Sequence, residues 1–157
     1  MGVVTRTAEA RSSKMTAAQL YKNMFIDMDK VMPKILPQIF KSVRLVEGDG
    51  GVGTVKEITY GEAVKATTMI QKLVEMDPEA MTYTKVIIGG DVLMGTLESV
   101  AYHSVVESSD SGECVVKLTV VFTPLAGQEV SEDYIKDSIA QSYQTFYAVE
   151  AHVQATY

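Results

Sequence analysis

The chain has 157 residues and a formal net charge of −6, with fourteen Lys and Arg scattered along its length. That length fits one domain, residues 1–157, with a substantial core and room for a cavity. Scattered basic residues under a net negative charge exclude nucleic acid as principal partner. No apolar run can span a bilayer, and Met1 to Arg6 lacks a secretory apolar region, so the expectation is a cytoplasmic protein with no membrane association. The single cysteine, Cys114, excludes an internal disulfide, and its setting beside Val115 and Val116 predicts a buried, inert thiol.

Val3 to Ser12 alternates loosely and predicts a first strand. Thr16 then caps a short helix from Ala17 to Ile26, with Leu20, Met24 and Phe25 on one face. A second short helix starts at Asp27 or Asp29, runs through Val31, Met32 and Ile35, carries Pro33 and is stopped by Pro37. Six strands follow: Phe40 to Glu47, Thr54 to Tyr60, Val64 to Met76, Met81 to Ile88, Leu97 to Glu107 and Cys114 to Thr123. Gly61-Glu62, Asp77-Pro78-Glu79, Gly89-Gly90-Asp91 and Ser108 to Gly112 separate them with turn chemistry. From Tyr134 to Val153 apolar residues recur at spacings of three and four, which predicts one long helix capped by Ser131. An antiparallel sheet with helices on one side is an α+β arrangement, and a strongly curved sheet can wrap the long helix.

The run Gly48-Asp49-Gly50-Gly51-Val52-Gly53-Thr54 imitates two nucleotide-binding loops. Gly48, Gly50 and Gly53 match G-x-G-x-x-G, but that loop works only when it opens a helix whose N-terminus meets the phosphates. Here Thr54 to Tyr60 alternates like a strand, and no lysine follows Gly53 as a Walker loop requires. Gly48, Gly50, Gly51 and Gly53 therefore read as a hairpin connection. Nine methionines and eight tyrosines with no tryptophan suit either a malleable internal pocket or an irregular core.

Leu20-Tyr21-Lys22, Pro33-Lys34-Ile35-Leu36-Pro37-Gln38, the loop from Glu47 to Lys56, and Gly89-Gly90-Asp91 together resemble the Bet v 1-like, pathogenesis-related class 10 proteins of plants. The resemblance covers essentially the whole chain, and the glycine loop is its most specific mark. It implies a START-like helix-grip fold, in which a seven-stranded antiparallel sheet grips a long C-terminal helix around an apolar cavity. It also implies a monomer that binds small plant molecules such as cytokinins, flavonoids, sterols and alkaloids, as a carrier, storage or defence protein without a cofactor. Relatives usually carry a glutamate before the paired glycines, where this chain has Ile88. The gate and latch sequences of the related abscisic-acid receptors are not found.

In the last strand, alternation places Val116, Leu118, Val120 and Phe122 on one apolar face. Carry-over from the family's cavity positions adds Met24, Phe25, Met32, Phe40, Ile58, Tyr60, Ala66, Thr68, Ile70 or Gln71, Tyr83, Lys85, Val100 and Tyr102. Ile135, Ile139, Ser142, Tyr143 and Phe146 of the long helix would close the cavity. For each apolar member core packing competes with ligand contact. Gln71, Tyr83, Tyr102 and Tyr143 are the candidate polar anchors, with backbone partners as the alternative for the tyrosines. Lys85 shares the inward phase of Tyr83, and a buried ammonium loses basicity.

Two functions follow, a carrier of small hydrophobic ligands or a cavity enzyme of the norcoclaurine-synthase type, whose Pictet–Spengler condensation would draw on Lys85, Tyr83 and Tyr102. The carrier is preferred, because the strand phases bring no carboxylate inward beside Lys85, and no catalytic residue is assigned. Ribonuclease activity, ascribed to some relatives, would involve Glu98 and Tyr147, but no histidine base accompanies them. His103 and His152 read as surface or rim residues, and two histidines with one cysteine show no metal-ligand spacing.

Overall fold

The structure is a computed structural model and describes residues 2–157. Strand β1 (Val4–Ser12) leads into α1 (Ala17–Tyr21), a π-helical turn (Lys22–Ile26) and α2 (Met28–Ile35). Strands β2 (Phe40–Glu47), β3 (Val55–Tyr60), β4 (Thr68–Asp77), β5 (Thr82–Gly89), β6 (Leu97–Ser108) and β7 (Cys114–Pro124) follow, and α3 (Glu132–Thr156) ends the chain. All seven strands form one antiparallel sheet in the order β1-β7-β6-β5-β4-β3-β2. This is the α+β helix-grip fold expected from the sequence.

Both predicted helix caps are present. Thr16 Oγ1 accepts the Gln19 amide at 3.1 Å while Gln19 Oε1 accepts the Thr16 amide at 2.9 Å, a reciprocal capping box. Ser131 Oγ accepts the Tyr134 amide at 2.9 Å, and Glu132 and Asp133 sit at the positive end of the α3 dipole.

Two elements depart from expectation. The helix expected from Ala17 to Ile26 widens after Tyr21, where the Asp27 amide donates to the Lys22 carbonyl at 2.8 Å, five residues back. The strand expected from Val64 starts only at Thr68. The intervening backbone is committed elsewhere: Gly61 and Ala63 donate to Ile39 and Gln38, both at 2.9 Å, and tie the end of β3 to the segment after α2. With those amides spent, residues 61–64 cannot join the ladder.

The core divides along α3. In its C-terminal half Phe146, Val149 and Val153 are almost fully buried, and the helix packs on α1 and β1. Tyr143 Oη donates to the Glu9 carbonyl at 3.0 Å, and Ser12 Oγ donates to Glu150, which fastens that half to β1. The N-terminal half keeps Tyr134 and Ile135 on the core, with the Tyr134 ring 6.1 Å from that of Phe122 on β7, and the space between its hydroxyl-bearing face and the sheet is the cavity described next.

Candidate functional site

The gap between the concave sheet, the helix pair and the first half of α3 forms a partly open pocket of about 940 Å³. That lies near the upper end of volumes that accept a drug-sized ligand. Each wall follows from a local pattern. Period-two alternation turns Tyr83 and Lys85 of β5, Tyr102 and Ser104 of β6, and Val116 and Leu118 of β7 to the inner face. The wide helical turn brings both Met24 and Phe25 to the cavity, where Phe25 stacks on Tyr83 with ring centroids 4.7 Å apart. Ala63 to Ala66, and Asp91, Val92 and Met94 from the β5–β6 connection, border the other end.

The α3 wall is polar, contrary to expectation. Ser138, Gln141, Ser142 and Thr145 face the space, and Asp133 and Asp137 stand on the same border. Ser138, Ser142 and Thr145 donate to the carbonyls of Tyr134, Ser138 and Gln141, each four residues back, so their hydroxyl lone pairs remain available as acceptors. The apolar stripe of α3 is used up in the closed core. The cavity is thus amphipathic: on the sheet side aliphatic and aromatic surface is interrupted by phenols, Ser104 and Lys85, and the helical side is rich in hydroxyls.

Of the predicted residues, Met24, Phe25, Met32, Phe40, Tyr60, Tyr83, Lys85, Tyr102, Leu118 and Ser142 border the cavity. Val100, Phe122, Ile135 and Phe146 do not; they are buried as core filling. Ile139 packs half-buried against the same core. Tyr143 is spent on its bond to β1. Thr68 lies outside the wall because its neighbour Met69 takes the inward phase of β4; the Thr68 amide, with that of Thr67, is held by the Asp91 carboxylate at 2.8 to 3.0 Å. These amide bonds hold the Asp91 carboxyl below its usual range.

Gln71 is also off the wall. Met28 covers it, with Nε2 3.8 Å from the sulfur, and Oε1 is buried with no hydrogen-bond partner. Its neighbour across the ladder is Lys56, a buried lysine that sequence reasoning passed over. The signal was present, since Lys56 shares the alternation that turns Ile58 and Tyr60 inward. Lys56 Nζ pairs with Asp29 of α2 at 2.7 Å.

Lys85 has a different environment. It stands directly across the ladder from Tyr102, and its Nζ lies 5.3 Å from the centre of that ring. Among the described residues it makes no ion pair. Its residual exposed surface faces the cavity. Desolvation first, then the charge of Lys56, lower its pKa to about 8. Burial raises the phenols of Tyr60, Tyr83 and Tyr102, so all three are neutral hydrogen-bonding groups near pH 7.

The remaining candidates lie elsewhere. In the glycine loop the Gly50 amide donates to Thr54 Oγ1 at 2.8 Å, Gly51 to Asp49 at 3.0 Å and Gly53 to the Leu73 carbonyl at 2.8 Å. A Cβ on Gly48 would lie 2.7 Å from Thr54 Oγ1, so this hairpin is closed on itself and has no such amide free for a phosphate. His103 is exposed, with Nδ1 2.6 Å from Thr84 Oγ1, and His152 is half-buried on α3. Cys114 is fully buried, and desolvation pushes its thiol up to about 11. Among the described residues no cluster of metal-ligating side chains forms, and no described helix is long and apolar enough to cross a membrane.

A seven-stranded antiparallel sheet packed on a long C-terminal helix, with short helices between its first two strands, defines a helix-grip protein. Residues 1–156 match the pathogenesis-related protein Bet v 1 family. Pathogenesis-related protein 2 of Petroselinum crispum is 41% identical over 155 residues, covering 99% of this chain and 97% of the relative. Ribonuclease 1 of Panax ginseng is 39% identical over 152 residues, covering 97% and 99%. The crystal structure of Ara h 8.0201 superposes with a TM-score of 0.87 at 31% identity, covering 98% of this chain and 99% of that one. The chain belongs to the Bet v 1 family of pathogenesis-related proteins.

Proposed function

We propose that this chain binds small amphipathic molecules in its internal cavity, as a monomeric cytoplasmic carrier or reservoir in plant defence. The carrying observation is the 940 Å³ space itself, floored by apolar side chains and crossed by a few polar groups. A core that served stability alone would close such a volume, since voids forfeit dispersion contacts. The defence context comes from the relatives' names. Cytokinins, flavonoids, sterols and alkaloids are the ligand classes to test first.

Calorimetric titration with one member of each class, together with a benzylisoquinoline precursor pair, tests the reading. At least one should bind with micromolar affinity and without turnover. Leu118→Trp, which projects an indole into the space from β7, should weaken that binding at least ten-fold while leaving the fold intact. Equal affinity in the variant, or consumption of the precursor pair, would contradict the carrier reading.

The ribonuclease name carried by two relatives motivates a second reading. The glycine loop gives it little support, because the Gly50 and Gly51 amides are spent within the hairpin and the Gly53 amide on Leu73 of the adjacent strand β4. Catalytic use of Lys85 is the third reading, and the acids nearest the cavity, Asp91, Asp133 and Asp137, come from the β5–β6 connection and α3 rather than from strand positions.

A further inference from the structure

We propose that the cavity selects amphipathic carboxylates, compact apolar ring systems bearing one carboxylate, and that Lys85 holds the carboxylate through an ion pair. The inference rests on the cavity-binding reading above and narrows it to a chemical class.

The other inward cation of this chain has a carboxylate partner. Lys56 of β3 is also turned inward and is buried, and Asp29 from α2 meets it at 2.7 Å. Lys85, two strands away and bordering the cavity, has no such partner among the described residues. Its contact is the face of Tyr102, which recompenses an ammonium only weakly compared with a carboxylate. A sequestered cation is costly unless something supplies the opposite charge.

The acids that border the same space do not supply it. Asp91 is engaged by the backbone amides of Thr67 and Thr68, and Asp133 and Asp137 on α3 come no closer than the limit for an ion pair. Lys56 is committed to Asp29, so Lys85 is the inward ammonium left open to a ligand carboxylate. The rest of the site fits the remainder of such a ligand. Phe25, Tyr83 and Leu118 offer flat apolar surface for a ring system, and the phenol of Tyr83 can donate to a second carboxylate oxygen.

Three compounds of one shape and different charge test this at pH 7: 1-naphthaleneacetate, its methyl ester and 1-naphthylethylamine, titrated by calorimetry into the full chain. In the native protein the acid should bind at least ten-fold more tightly than the ester, and the amine should bind most weakly. Lys85→Met should weaken the acid at least ten-fold and leave the ester within about two-fold, which also reports that the cavity is intact; Lys85→Arg should retain the preference for the acid. Equal binding of acid and ester, preference for the amine, or an acid affinity unchanged in Lys85→Met would overturn the inference and leave the cavity reading standing. Binding of none of the three would count against both.

Discussion

Lys85 makes the cavity electrostatically asymmetric, and its effect on stability has a definite sign. Its folded-state pKa of about 8 lies below that of an unfolded lysine, so between roughly pH 8 and 10.4 the unfolded chain binds more protons than the folded one. Stability from this group therefore rises with pH across that window, and below it the full penalty remains. Lys85→Met should remove the penalty and stabilise the protein by about 1–3 kcal/mol at pH 7, with a difference that shrinks toward pH 10. Paired urea titrations at pH 7, 8.5 and 10 check it, and comparing the two proteins cancels the titration of the tyrosines. A constant difference across the series would show that the ammonium is solvated in the fold.

Alternation alone is enough to place Lys85 beside Tyr83 on the inner face, and it places Lys56 beside Ile58 in the same way. Gln71 shows the limit of such phase arguments. Its strand position is inward, but whether it meets a ligand or a methionine depends on how α2 lies across the sheet, and that is a tertiary fact.

Among the elements, the connection between β5 and β6 controls the border of the cavity. Gly90 adopts φ +93°, and a Cβ there would lie 2.5 Å from the Thr68 carbonyl oxygen. Its neighbour Asp91 then reaches the amides of Thr67 and Thr68, so two loops that border the site are held together by one dipeptide. Gly90→Ala combines backbone strain with a steric clash against main chain. It should destabilise the protein by about 3 kcal/mol or more, read as a lowered urea midpoint with accelerated amide exchange at Thr67 and Thr68. An unchanged midpoint would mean that the loop pair adjusts freely.

Legibility also varied by element. Ladder strands declared themselves by alternation and turn residues, and most of their ends fell within a residue of the expected ones. The stretch from Val64 to Thr67 departs from the ladder because the Val64 amide turns back on the Gly61 carbonyl and the Thr67 amide is held by Asp91, partners outside the pattern of the strand. In α3 the apolar spacing located the helix correctly but suggested the wrong lining. Apolar side chains seek the closed core, and the hydroxyl face is what remains over the void.

At the scale of the whole molecule, one helix does two jobs. The C-terminal half of α3 seals the structure against α1 and β1, while the N-terminal half bridges an unfilled space. This division accounts for a fold stable enough to tolerate a large cavity, because the missing dispersion contacts are confined to one side of an otherwise close-packed core. Fold and family could be inferred from the order of elements and the glycine loop; ligand chemistry could not, because it depends on which inward groups lack a protein partner.

The central claim is that small molecules occupy this interior. Chemical-shift mapping of isotope-labelled protein titrated with 1-naphthaleneacetate tests it most directly. The account predicts saturable shifts at Phe25, Tyr83, Lys85, Tyr102, Leu118 and Ser142, residues from three strands and two helical segments that all border the cavity. Shifts confined to exposed apolar residues such as Val52 and Met94, or no shifts at saturating ligand, would contradict it.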